Sequence, residues 1–191
     1  MKIHIVPGNS KLGNTPNIST VPGKDCGKGV PCTKDCYARK FYRQYPNVRK
    51  AWNENSRYQR VDPTGYFGDI YAWLMLHRPK YFRIHVAGDF ISQNTVHRWG
   101  QLGSGIPATR FLAYTKREDL FFGYLPENFI IRHSMWPGWG NAKLKLPKFW
   151  MQDKQGTETR IPKKKFLCPG DCEKCRACWS KDVHDVVVMK H

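Results

Sequence analysis

The apolar positions come in short runs broken by turn-formers. Ile3 to Val6 can start a strand, but Gly8-Asn9-Ser10-Lys11-Leu12-Gly13-Asn14-Thr15-Pro16-Asn17 is turn-rich and leads through Pro22-Gly23 as one long loop. From Tyr37 onward, Ala38, Phe41, Tyr42 and Tyr45 recur at helical spacing. Pro46-Asn47 interrupts the pattern, and Val48, Ala51 and Trp52 resume it towards Tyr58. A second helix is predicted over Phe67 to His77, burying Ile70, Trp73, Leu74 and, as a further candidate, Met75.

The next segment changes period. Tyr81-Phe82-Arg83-Ile84-His85-Val86-Ala87 is rich in aromatic and β-branched residues, ends at Gly88-Asp89 and is followed by Ser92 as a helix cap. Strands are expected again over Arg110 to Tyr114, Asn128 to Arg132 and Asp185 to Met189, the last an uninterrupted apolar run of the kind that a buried parallel strand shows. Strands alternating with helical stretches predict an α/β fold with a mostly parallel sheet in one domain over residues 1–191. Residues 140–166 read as a basic insertion between the last two of these strands, and no internal repeat or low-complexity tract is present.

Composition narrows the class. No apolar run approaches the about 20 residues of a membrane-spanning helix, and Met1-Lys2-Ile3-His4-Ile5-Val6-Pro7 is too short and too weakly apolar for a secretory signal. A soluble protein of the cytoplasm, with no membrane partner, is the expectation. The formal charge of +17 exceeds what solubility needs and points to an anionic partner, nucleic acid or a nucleotide first. Within 140–166, Lys143, Lys145, Lys148, Lys163, Lys164 and Lys165 are interleaved with Phe149 and Trp150. Cations seek phosphates and aromatic rings stack on bases, so these are candidate contacts; the competing reading is a solvated insertion with Trp150 in the core.

The cysteines change the picture most. Seven thiols in a reducing compartment are not a disulfide framework, and an odd number cannot pair within one chain. They fall into two groups near opposite ends, Cys26, Cys32 and Cys36 in one and Cys168, Cys172, Cys175 and Cys178 in the other. Four thiolates within eleven residues can close around zinc or one cubane cluster, and this tight packing resembles a ferredoxin run more than split zinc knuckles. Three thiolates leave one coordination position open. Its occupant is a histidine such as His85 or His133, or water, for zinc, and a small molecule for a cubane. In a further alternative Cys32 and Cys36 join a site shared with the second group.

The combination of Asn9-Ser10-Lys11-Leu12, the three cysteines ending in Cys36-Tyr37-Ala38, His85-Val86-Ala87-Gly88-Asp89-Phe90, Tyr114-Thr115-Lys116 and Cys178-Trp179 resembles the phage "gene product 88" family. More distantly it is similar to radical S-adenosylmethionine (SAM) proteins with a three-cysteine motif ending in Cys-Tyr-Ala. There the outer cysteines are ten positions apart, as Cys26 and Cys36 are, while the middle one differs by one position. The usual spacing of three and then two residues occurs here only at Cys168, Cys172 and Cys175.

That resemblance implies a partial (β/α) barrel in the host cytoplasm. Cys26, Cys32 and Cys36 would hold a [4Fe–4S] cluster chelated by SAM, and the second group an auxiliary one. Gly88 and Asp89 would receive the methionine amino group, and Ser134 would complete the cofactor site. Asp89, Tyr114, Lys116 and His133, at the carboxyl ends of strands, would face the reaction. An electron donor would reduce the cluster, SAM would yield a carbon radical, and that radical would abstract hydrogen from nucleic acid or a nucleotide. The alternative class is a non-catalytic protein whose zinc or iron–sulfur centres organise a nucleic-acid-binding surface. A zinc hydrolase using His85 or His133 is a third reading, without a compact ligand motif behind it.

Overall fold

Prolines and caps set the helix boundaries. In the computed structural model, which describes residues 1–123 and 125–189, α1 (Tyr37–Gln44) gives way at Tyr45 to α2 (Pro46–Val61), and α3 (Pro63–His77) follows. Pro46 and Pro63 each occupy the start of a helix, where the missing N–H costs nothing. Pro46 therefore opens a new helix as well as ending the previous one. Asp62 caps α3 by accepting from Gly65 N at 2.8 Å, and Ser92 caps α4 (Gln93–Gly105) by accepting from Thr95 N at 3.3 Å, as its position predicts.

The strands are β1 (Ile5–Val6), β2 (Asn17–Ile18), β3 (Tyr81–Ile84), β4 (Arg110–Thr115), β5 (Phe129–Met135), β6 (Lys148–Gln152), β7 (Phe166–Leu167) and β8 (Asp185–Met189). A one-turn helix, α5 (Cys172–Cys175), lies between the last two. They form one sheet in the order β1-β2-β3-β4-β5-β6-β8-β7. Among the described residues, β1 and β2 are the one antiparallel strand pair and the other strand pairs are parallel, and from β2 to β6 each strand adds beside its predecessor. The α/β class and the mostly parallel sheet are as the pattern of elements foretold.

Three expectations need correction. The segment 140–166 is not simply an insertion, because β6 within it pairs with both β5 and β8 in the middle of the sheet. Its five residues, Lys148 to Gln152, carry little periodicity of their own. The strand expected to run to Ala87 leaves the sheet after Ile84, where His85 takes a left-handed φ of +53°. Met75 is exposed, since α3 buries only its Tyr66, Phe67, Ile70 and Leu74 stripe.

The alternation of side chains divides the sheet into two faces. Phe82, Ile84, Phe111, Ala113, Phe129 and Ile131 pack on Ile70, Leu74, Trp99 and Leu102 of α3 and α4. The other face carries Leu112, Ile130 and Val186, and it is covered by Leu12 and by Cys178 and Trp179 of a single 3-10 turn (Ala177–Trp179) rather than by a long α-helix. A parallel sheet must be covered on both sides, so the carboxy-terminal cysteine segment completes the core.

Arg132, from the middle of β5, fastens that segment. Fully buried, it donates to the carbonyls of Cys178 (3.0 Å), Ala177 (3.4 Å), Ser180 (2.9 Å), Val183 (2.7 Å) and His184 (3.4 Å). Replacing it leaves buried acceptors without donors. Arg132→Met is expected to lower the unfolding free energy by about 3–5 kcal/mol, measured by denaturant titration; a loss below about 1 kcal/mol would show that the segment is held by other means.

Candidate metal centre

The first cysteine group occupies the loop before α1, and that loop is tied to the carboxyl end of β3. Asp89 N donates to the Asp25 carbonyl at 3.1 Å, and the buried Asp25 carboxylate accepts from Val21 N (2.9 Å) and pairs with Arg60 (2.5 Å). Cys26 Sγ accepts from Gly23 N at 3.3 Å, Cys32 lies in the 3-10 turn Pro31–Thr33, and the Cys36 carbonyl receives the first N–H groups of α1. Cys26 has Asp89, Cys32 and Cys36 as neighbours, and Cys32 has Cys36 and Asp89. Burial, with these neighbours, pushes the Cys26 thiol up to about 11; burial also raises Cys32, which the Lys116 ammonium partly offsets.

Asp89 and Lys116 lie beside this group. The Asp89 carboxylate is buried and accepts from Phe90 N, Thr115 Oγ1 and Lys116 N, each at 2.8 Å. Desolvation nonetheless pushes its pKa up. These bonds lock the turn after β3 to the end of β4, so the carboxylate is first a tether. Gly88 precedes it with φ +82°, and a Cβ there would lie 2.0 Å from Thr20 Oγ1, so any other residue would be strained and would have to displace the Thr20 side chain. Lys116 Nζ donates to Ser134 Oγ at 2.9 Å. Cys32, Asp89, Lys116 and Ser134 thus meet at the carboxyl ends of β3, β4 and β5, where parallel sheets bind ligands.

His133 does not join them. One residue before Ser134, it points to the opposite face, where its Nε2 lies 3.0 Å from Glu118 Oε1 and its ring sits 6.1 Å from that of Trp139. Burial, with the ammoniums of Lys148 and Lys116, outweighs Glu118 and holds it below the ordinary histidine range. His85 is boxed edge-on against Phe90 (5.2 Å) and Trp99 (6.3 Å), and burial lowers its pKa to about 3. Neither of its ring nitrogens reaches a thiol or any other partner among the described residues.

Tyr114 belongs to the second cysteine group. Its hydroxyl bonds to Cys178, its ring stacks on Phe149 at 4.4 Å, and the Arg83 guanidinium lies 3.8 Å above it. The four thiols sit under the sheet. Cys168 N donates to the Val187 carbonyl (2.8 Å), Cys172 N to the Lys11 carbonyl (2.8 Å), and Arg176 turns the chain between Cys175 and Cys178 with φ +52°. Burial raises the Cys172 and Cys178 thiols, and the neighbouring thiols add to it. Among the described residues, no three His, Cys, Asp or Glu side chains are gathered tightly enough to hold a single metal ion.

Two buried cations that the motif reading passed over frame this group. Arg83 and Arg132 lie on the cysteine-covered face of the sheet, and neither has a carboxylate within ion-pair distance among the described residues. A charged residue inside an otherwise apolar strand is the signal that would have found them.

Of the basic stretch, Lys143, Lys145, Lys163, Lys164 and Lys165 are exposed. Lys148 and Trp150 are not available to nucleic acid. Lys148 is buried and donates to the carbonyls of Leu144 and Leu146, and Trp150 is buried with its Nε1 donating to Asp185 at 2.6 Å. Both belong to β6, which explains their burial.

The fold and site together define an α/β protein with two cysteine groups, one at the ends of its parallel strands and one beneath them. The family model for Gene product 88 matches residues 7–181, and the chain belongs to that family. No curated protein and no solved structure matches it. No helix among the described residues is long and apolar enough to cross a membrane.

The raised thiol gives a test that needs no metal. A thiol whose folded pKa lies above its unfolded value stays protonated, and only the thiolate attacks. In metal-free protein, Cys26 is expected to react with iodoacetamide more slowly at pH 8 than the same cysteine in urea. Its rate should climb until about pH 11. Equal rates at pH 8, read by mass spectrometry, would contradict the buried environment.

Proposed function

We propose that this protein is an iron–sulfur protein of radical-SAM-like type acting on nucleic acid or nucleotides, with Cys26, Cys32 and Cys36 holding the open centre. The observation that carries this reading is that the loop of Cys26, Cys32 and Cys36 lies beside Asp89 and Lys116 at the carboxyl ends of parallel strands. The sequential order of β2 to β6 is that of a (β/α) barrel left open at one side, which supports the partial-barrel reading. The donors are all thiols with no histidine among them, which suits iron–sulfur ligation. The charge of +17 supports an anionic substrate.

In this reading the chain's own residues hold and orient. Gly88 brings backbone close to the open centre, and Asp89 fixes that turn, its Oδ2 accepting from Lys116 N. Lys116, steadied by Ser134, offers a positive charge for a carboxylate or phosphate. What the cluster supplies when SAM is bound is one-electron chemistry. Cys168, Cys172, Cys175 and Cys178 hold a second centre with a structural role. Its thiolates would place negative charge beside Arg83 and Arg132, which are buried with no carboxylate in ion-pair distance among the described residues.

Purification without oxygen, followed by iron, sulfide and zinc analysis, is expected to give iron and sulfide in similar amounts. SAM added to the reduced protein is expected to change its electron paramagnetic resonance spectrum. Zinc without iron would replace this proposal with the zinc-organised binding protein, and a spectrum that SAM leaves unchanged would remove the radical-SAM-like part.

A further inference from the structure

Helix α1 follows directly on Cys36, and it buries only one residue, Ala38. Its partnered aromatic side is Tyr42, which stacks on Trp52 of α2 at 6.3 Å and donates to Asn53 at 2.8 Å. A different side carries Tyr37, Phe41 and Tyr45 at successive four-residue steps, which bring them onto one stripe. These residues are 59%, 45% and 43% exposed. Tyr37 meets Phe41 edge-on with centroids 6.4 Å apart, and Phe41 stacks on Tyr45 at 5.6 Å. Tyr37 is anchored at the metal-centre end, where its hydroxyl donates to the Val86 carbonyl at 2.6 Å, two residues before Gly88. The aromatic row therefore starts beside the site and leads away from it.

A cleft of about 380 Å³ lies along the same helix, lined by Thr33, Lys34, Cys36, Arg39, Lys40, Arg43 and Gln44. Four of these residues are cationic and none is acidic. Rings and cations arranged side by side in this way satisfy both halves of a nucleotide, since bases stack on aromatic faces and phosphates pair with lysine and arginine. The ring spacings exceed the roughly 3.4 Å rise of a stacked strand, so the row suits unstacked bases and not a duplex.

We infer that α1 and its cleft form a binding track for single-stranded nucleic acid that delivers the strand to the open cysteine centre. This inference rests on the proposed nucleic-acid substrate, and it places the contact on α1 rather than on Lys163, Lys164 and Lys165. Rings and cations are required together: the rings grip the bases without reading sequence, and Lys34, Lys40 and Arg43 set the salt dependence.

The test uses protein purified without oxygen and fluorescence anisotropy with a labelled mixed-sequence twelve-nucleotide strand, as DNA and as RNA, and with the corresponding duplexes. The wild type is expected to bind a single strand more tightly than the duplex. Phe41→Ala with Tyr45→Ala is expected to weaken single-strand binding about tenfold or more, and Lys40→Ala with Arg43→Ala to lower the salt slope by about 1.4. Lys163→Ala, Lys164→Ala and Lys165→Ala together should change affinity less than either pair. Photocross-linking of an iodouridine-substituted strand to the wild type, mapped by mass spectrometry, should mark Tyr37, Phe41 or Tyr45. If the wild type binds no oligonucleotide, both the nucleic-acid reading and the track are overturned. Binding that survives the α1 substitutions, or cross-links confined to residues 163–165, overturns the track alone, as does a preference for duplex.

Discussion

Two guanidiniums buried on one face of a parallel sheet are the constraint around which the rest is arranged. Desolvating a charge costs several kcal/mol even after relaxation. Arg132 offsets that cost with bonds to five carbonyls, each bond to a charged group being worth about 1.5–3 kcal/mol. All five acceptors belong to residues 177–184, so the same bonds that solvate the arginine shape the segment bearing Cys178. Arg83 has less to satisfy it, with one carbonyl at 3.4 Å and the face of Tyr114. Tyr114 in turn bonds Cys178, so charge, ring and thiol form one packed unit.

From that unit the sheet carries the argument to its edge. The register that sets Tyr114 against Arg132 also brings Lys116 to Ser134, one alternation further along. Asp89 then joins the end of β4 to the turn after β3, and through the Asp25 carbonyl to the loop of Cys26. The two cysteine groups are thus unlike in setting. One lies beneath the sheet and completes the core, and the other lies in a loop at the strand ends, beside a lysine and an exposed basic helix. That difference supports the proposed structural role for Cys168, Cys172, Cys175 and Cys178 and the proposed open role for Cys26, Cys32 and Cys36.

Much of this was legible in the sequence. The Ser92 cap, the β8 run and the grouping of the thiols are local patterns, and local patterns survive folding. The glycine before Asp89 marked a turn in which any side chain is strained. What escaped notice depended on tertiary context. β6 carries Lys148 and Trp150 in a lysine-rich stretch, and only its pairing with β5 and β8 reveals that both residues are interior. His133 and Ser134 are adjacent in sequence, yet the strand sends them to opposite faces. Arg83 and Arg132 were each visible as a charge within an apolar strand, but what each one solvates lies some thirty to fifty residues away.

The central claim is that the chain holds two separate centres and that only the second is part of the core. Iron content of the Cys26→Ala, Cys32→Ala, Cys36→Ala protein, set beside the wild type under the same anaerobic conditions, tests it most directly. Those three cysteines lie in a loop, so the variant is expected to fold and to retain about half of the wild-type iron, about four atoms against about eight for two cubane clusters. Unchanged iron, or its complete loss in a protein that still folds, would contradict the account.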